Sequence, residues 1–459
     1  MGFYIYVLKS SKKVMGQTRI INAKLVNENQ TSSQQLLIND DRIAKIATEI
    51  APQKEEILVD ANGCYLLPGL VDDQVHFREP GFTHKATIAS ESRAAVAGGI
   101  TSFIEMPNTL PQTTTHEALE DKLQRASESS AANYGFMFGG TNDNIETVLT
   151  LDISKVAALK LFLGSSTGNM LVDNTETLRE IFSKCPLLIV AHCEEEAVIK
   201  DNLKKAISQY GENIPISEHT HIRSEEACYL SSSKAIALAK ETGARLHVFH
   251  VSTAKELALF QNDIPIEDKQ ITAEVCTHHL WFSEEDYAAK GTAIKWNPAL
   301  KTTLDRDALW EALNDDRLDI LATDHAPHTW EEKQQNYLNS PSGGPLVQHS
   351  LPALLTAVKK GKISLEHLVT KACHNPAKLF KIKDRGFLRE GYFADLVLVD
   401  QEQNYTVSKK NIIYQCGWSP FEGTTFSGSV VKTFVNGQLV YDTGKIISTN
   451  AGRALVYER

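Results

Sequence analysis

The feature that most constrains this chain is a series of eight short, continuous apolar segments, most of them followed by a stretch of helical periodicity. They read YLLPGLVDDQVHF, TSFIEMPN, ANYGFMFGG, AALKLFLG, PLLIVAHC, RLHVFHVS, ITAEVCTHH and DILATDHAPH. Apolar runs without alternation are strands buried on both faces, and strands separated by amphipathic helices pair in parallel. The connectors include THKATIASESRAAVAGG, HEALEDKLQRASES, TETLREIFSKC, SEEACYLSSSKAIALAKETG and TLDRDALWEALND. Eight βα units close a barrel more naturally than they extend an open sheet, and a barrel takes up about 250 residues. The expected fold is α/β, a TIM-type (β/α)8 barrel over 67–380.

Both ends of the chain follow a different grammar. From Arg19 to Leu66 short segments alternate apolar and polar residues between Asn, Asp and Gly, and the pattern returns after Gly386, with Asn436-Gly437 marking a two-residue hairpin turn. Segments 19–66 and 386–459 are therefore expected to build one small β-sandwich from the two termini. The formal net charge of -10 repels phosphate backbones, so no nucleic-acid partner is expected. Seven cysteines, odd in number and never in a CxxC pair, argue against a disulfide framework or a thiolate zinc site, and for a reducing cytoplasm. No run reaches the roughly 18 apolar residues of a membrane span. The apolar stretch Phe3–Leu8 is shorter than a signal-peptide core, and its lysines follow it, so no targeting signal is expected. The residues before Met15 read as an upstream extension.

In such a barrel, function gathers at the carboxyl ends of the strands. The polar residues that interrupt the apolar runs lie there: Asp72, Gln74, His76 and Arg78 in the first segment, Lys160 in the fourth, His192 in the fifth, His250 in the sixth, Asp324 and His328 in the eighth. A single strand-end histidine is more often a hydrogen-bonded core residue. Three histidines and an aspartate from four strands of one barrel form the donor set of a borderline cation such as zinc, held rigidly around an open position. Lys160 cannot ligate as an ammonium. It either reaches a solvated loop or takes up carbon dioxide to become an anionic carbamate that bridges metals.

PGLVDDQVHFREPG, FIEMPNT, ALKLFLGSSTGNM, IVAHCEE, HVFHVST, KWNPALK and ATDHAPH together resemble the amidohydrolase superfamily. Within it they resemble the cyclic-amide hydrolases, and most nearly the dihydroorotases of the longer bacterial type, also found within multifunctional pyrimidine-synthesis proteins. The resemblance runs from about Arg19 to Val440. It implies a zinc-dependent barrel, with one or two zinc ions per chain, that interconverts dihydroorotate and N-carbamoyl-aspartate. Carried over residue by residue, it makes His76 the second histidine of the HxH motif, Lys160 the carboxylated lysine, and His192 and His250 the ligands of the second metal. Asp324 becomes a metal ligand and the general base. Arg78 and Asn108 hold the substrate carboxylate with help from His328, Asn297 contacts the ring, and the substrate-loop dipeptide falls on Ser342 and Gly343, where an aromatic is usual at the first position. The partners implied are a small-molecule substrate and a second copy of the chain, with a transcarbamoylase as a further one.

One departure is clear: the first histidine of HxH is Gln74, whose amide oxygen is a weak zinc ligand beside an imidazole. Either the first metal is held loosely, or a single zinc stays with Lys160, His192 and His250, or the chain is an inactive structural partner of a transcarbamoylase. The other enzyme reading is a dihydropyrimidinase, hydantoinase or allantoinase, which would not need the carboxylate-reading pair Arg78 and Asn108. His278 and His279, placed in the seventh strand, are expected to support the site. Cys193 and Cys276 are expected to be small buried fillers, and His84 and His116 to be solvated.

Overall fold

The computed structural model describes residues 16–164, 170–172 and 174–459. The apolar stretch Phe3–Leu8 and the Ser165–Asn169 part of ALKLFLGSSTGNM lie outside the described residues.

Each of the eight segments supplies one strand of a parallel barrel: β1 (Leu70–Val75), β2 (Ile100–Glu105), β3 (Asn133–Phe136, continued by Phe138–Gly139), β4 (Leu159–Phe162), β5 (Ile189–His192), β6 (Leu246–Val248), β7 (Ile271–Cys276) and β8 (Ile320–Ala322). Neighbours pair in sequence order. The third strand bridges its two partners across Met137: Met137 N–H donates to Glu105 and Phe138 N–H to Ala158, at 3.0 and 3.1 Å. The circle is completed where β1 meets the end of β8, through a parallel bridge between Val75 and His325 and a 2.7 Å bond from His76 N–H to the His325 carbonyl.

The period of two sorts side chains between two cores. Phe103, Leu159, Leu161, Ile189, Ala191, Val248 and Val275 pack outward against the helices, whereas the alternate residues Ile104, Ala158, Val190 and Phe249 join a second cluster. By that parity Lys160, two residues after Ala158, and His192, two after Val190, point to the barrel interior. Of the expected connectors, HEALEDKLQRASES forms a helix over its whole length, His116–Ser129, started by the Thr115 hydroxyl, which accepts from Ala118 N–H. THKATIASESRAAVAGG is helical only over Ile88–Ala97, capped by Thr87. Its first residues form a loop at the barrel mouth, with consequences for the site.

The termini share one nine-stranded mixed sheet, in which Leu396–Thr406 from the carboxyl end pairs with Tyr65–Pro68 from the amino end. The segment YLLPGLVDDQVHF is therefore two strands. Tyr65–Pro68 belongs to the terminal sheet and Leu70–Val75 to the barrel. The break is at Gly69, where a Cβ would fall 2.1 Å from the Thr101 hydroxyl, so a side chain there would collide with β2. No helix among the described residues is long and apolar enough to cross a membrane.

The barrel wall also contains a buried ion pair. Lys122, on the helix after β2, is fully buried, bonds Glu105 at the end of that strand and donates to the Met106 carbonyl at 3.0 Å. Burial pushes Glu105 up to about 7 even beside this lysine. Lys122→Met should keep the fold but lower stability by about 3–5 kcal/mol, because it strands a buried carboxylate. A carboxyl whose folded-state pKa is raised is tolerated when protonated, so the loss should be larger at pH 8 than at pH 5. Urea unfolding midpoints at the two pH values provide the check.

Candidate active site

The twelve residues given site roles in the sequence line one cavity of about 420 Å³ at the carboxyl ends of the barrel strands, whereas Asp72 lies outside it and accepts from the Thr323 backbone and hydroxyl. Gln74, His76 and Arg78 come from β1 and its loop, Asn108 from the loop after β2, Lys160 from β4 itself, and His192 from the last position of β5. His250 and Asp324 each stand two residues past their strands. Asn297, His328, Ser342 and Gly343 complete the rim. Arg78, His250 and Asp324 adopt φ of 67°, 40° and 50°, in the left-handed region that non-glycine residues rarely occupy. Strain of this kind persists only where the surroundings enforce it, and here it falls on three residues of one pocket.

One wall carries metal-type donors. His192 Nδ1 and His250 Nε2 face each other at 2.9 Å, and His192 Nε2 lies 2.9 Å from Glu194, which in turn bonds Arg223. With Nε2–H donating to that anchored carboxylate, the Nδ1 lone pair of His192 is turned into the cavity. The His250 backbone N–H donates to Glu274 at 3.1 Å, which helps hold the loop in its strained conformation. On the opposite side His76 Nδ1 lies 2.9 Å from the Asn108 side-chain oxygen, so Nδ1–H donates there and Nε2 is left facing Asp324 at 3.2 Å. Burial, reinforced by nearby cations, holds His76 and His250 well below the usual histidine range, so both rings are neutral at physiological pH. Lys160 is buried over the Phe249 ring at 4.0 Å and forms no hydrogen bond or ion pair among the described residues. Burial pulls it down to about 7, and pushes Asp324 up to about 7 against the pull of Lys160, His192 and Arg78. Imidazoles turned toward one another, a lysine without a hydrogen bond among the described residues and a carboxylate fit a divalent cation of the zinc class.

The other wall is cationic. Arg78 Nε donates to the Pro327 carbonyl at 3.0 Å, and its Nη2 packs 3.0 Å from His328 Nε2. Lys85 donates to His328 Nδ1 at 3.0 Å and pairs with Glu332 at the same distance. His328 is thereby left with Nε2–H, which donates to the Ser342 carbonyl at 3.0 Å. Burial and the neighbouring Arg78 hold its ring neutral. Gly343, at φ 126°, leaves no room for a Cβ, which would meet the Ala326 carbonyl at 2.5 Å. Asn297 Oδ1 is buried without a hydrogen-bond partner at this rim.

Sequence reasoning missed Lys85, because THKAT reads as the start of a helix although it is a loop, and missed Glu194 with Arg223. The signal for Glu194 was present: an acidic residue two past a strand-end histidine. His278 and His279 are not in β7; they lie on a short helix, Thr277–Trp281, that follows it. His279 contacts the Pro298 carbonyl at 3.1 Å and His278 stacks on Trp296, a ring that lines the cavity. The Thr-His-His run continues an apolar strand without a break in pattern, which hid the change of element. Cys193 and Cys276 are buried, and His84 and His116 are exposed.

Fold and site together define a metal-dependent hydrolase of the (β/α)8 class. The chain belongs to the amidohydrolase family, whose sequence model matches residues 65–440. It is 34% identical over 420 residues to a dihydroorotase of Halobacterium salinarum, covering 91% of this chain and 95% of that one. It is also 34% identical over 429 residues to a dihydroorotase of Bacillus cytotoxicus, with 92% and 97% covered. Among solved structures it superposes on the L-hydantoinase (dihydropyrimidinase) from Arthrobacter aurescens with a TM-score of 0.91, at 27% identity, over 96% of this chain and 100% of that one.

The Glu194 anchor leads to a direct expectation. Glu194→Leu removes the acceptor that orients His192, and metal affinity at the His192–His250 pair should fall about 10- to 100-fold. Zinc retention against a competing chelator measures it, and unchanged retention would show that Glu194 serves Arg223 alone.

Proposed function

We propose that this chain is a dihydroorotase, catalysing the reversible hydrolysis of (S)-dihydroorotate to N-carbamoyl-L-aspartate in pyrimidine synthesis. The observation that carries the proposal is the cationic wall of Arg78 and Lys85 in the same cavity as the metal-type donors. Lys85 is paired with Glu332, so a cyclic amide without a carboxylate would leave Arg78 without an anion among the described residues. The dihydroorotases among the relatives support the same substrate. The likeness to a hydantoinase favours a second reading, a neutral cyclic-amide hydrolase, and Arg78 is the residue that separates the two. Zinc is the metal we assign, held by His192, His250 and Lys160, with His76 and Asp324 as the donors of a second position that Gln74 leaves weaker.

When bound, zinc supplies an acidified water and polarises the ring carbonyl. The protein's own groups do the rest. The planar guanidinium of Arg78 has the donor geometry to bind a carboxylate side by side, and its bond to Pro327 fixes the plane in which it does so. Asn108, tethered through its oxygen to His76, keeps its amide N–H free to add a second donor. Asp324 takes the proton of the attacking water and delivers it to the leaving ring nitrogen, and the same group reverses the transfer in ring closure. Lys160, brought down to about 7, exists partly as the free amine near neutral pH. The amine adds to carbon dioxide, forming a C–N bond and releasing a proton, and the resulting carbamate is an anion suited to a cationic centre. Cytoplasmic location and assembly with a second copy complete the reading, on the strength of the family resemblance.

Arg78→Met should cut kcat/KM for dihydroorotate by about 2–5 kcal/mol more than for a neutral dihydropyrimidine, as expected when one partner of a buried charge pair is lost. Equal losses on both substrates would remove Arg78 from carboxylate recognition. Lys160→Ala should lose zinc from the mouth, with partial recovery of metal in the presence of short-chain carboxylic acids. Full metal content in that variant without any additive would contradict the carbamate.

A further inference from the structure

Below the mouth, inside the barrel, lies a second set of ligating side chains. Asp73 of β1, His247 of β6 and Glu274 of β7 are completely buried, and their ligand atoms all lie within 4.8 Å of one another. His247 Nε2 is 3.6 Å from Asp73 and 3.9 Å from Glu274. Both separations exceed the roughly 3.2 Å limit of a good hydrogen bond. Among the described residues, His247 Nε2, both Asp73 carboxylate oxygens and Glu274 Oε2 have no hydrogen-bond partner. Buried carboxylate oxygens without donors, both of Asp73 and one of Glu274, are costly to leave so. The separations come close to those of ligands sharing a cation, since donors about 2.0–2.2 Å from one tetrahedral ion stand roughly 3.3–3.6 Å apart.

The imidazole is oriented for ligation. His247 Nδ1 lies 2.8 Å from the Thr272 hydroxyl, which is 3.5 Å from the Leu246 carbonyl. With Nδ1–H donating to Thr272, the Nε2 lone pair would point between the two carboxylates, the arrangement of a metal-bound histidine fixed by an outer partner. A dication would balance the two buried carboxylates. The cluster is joined to the cavity wall by packed side chains: Glu274 Oε1 is 3.4 Å from Cys276 Sγ, which is 3.8 Å from the Gln74 side-chain oxygen.

We propose that Asp73, His247 and Glu274 form an interior site for a divalent transition-metal cation, separate from the one at the mouth, that ties β1, β6 and β7 together. One imidazole and two carboxylates suit zinc or manganese.

The test uses zinc as the probe on crystals of the full chain, with anomalous difference maps recorded above and below the zinc edge at a concentration that fills the His192–His250 position. The expected result is a second peak about 2.0–2.2 Å from Asp73, His247 Nε2 and Glu274. In Asp73→Asn that peak should fall severalfold while the peak at His192 and His250 keeps its height. Absence of the interior peak when the mouth is filled would overturn the proposal, and so would an interior peak undiminished in Asp73→Asn. The map of the unmutated protein decides the question of occupancy by itself, even if the variant does not fold.

Discussion

The structure depends on one constraint: a closed parallel barrel buries its strands on both faces, so any polar side chain of interior parity must be paired, ligated or used. Val190 and Ala158 fill the interior, and two residues further along each strand His192 and Lys160 stand where filler ends and solvent begins. The seam between β1 and β8 brings His76 against Asp324 at 3.2 Å. The donors converge because the strands do, and partners turn the imidazoles: Glu194, behind the cavity wall, for His192, and Asn108, on the wall itself, for His76.

Burial then sets the protonation states. The same desolvation that keeps His76 and His250 neutral brings both Lys160 and Asp324 to about 7, one from above and the other from below. A lysine that can be a free amine and a carboxylate that can hold a proton are what reversible amide hydrolysis requires, and neither would arise at a solvated surface.

Much of this was legible in the sequence, because continuous apolar runs ending in His, Lys or Asp record both the parity of a strand and its functional end. The eight strands and the twelve cavity residues follow from that pattern together with the family's motifs. What the pattern could not carry were contacts between distant elements and changes of element without a change of hydropathy. Gly69 divides one apolar run between two sheets because of a neighbouring threonine. Thr277–Trp281 turns from strand to helix inside an apolar context, and Lys85 sits in a loop that looks helical. Asp73, His247 and Glu274 lie on three separate strands, and only barrel closure brings them together.

The central claim is that the cationic wall selects an anionic ring. The most direct measurement is kcat/KM of the unmutated, zinc-loaded protein on dihydroorotate and on 5,6-dihydrouracil under identical conditions. Pairing a buried arginine with the substrate carboxylate, at about 2 kcal/mol or more, predicts a preference of at least roughly 30-fold for dihydroorotate. Equal turnover of the two, or a preference for the neutral ring, would contradict it.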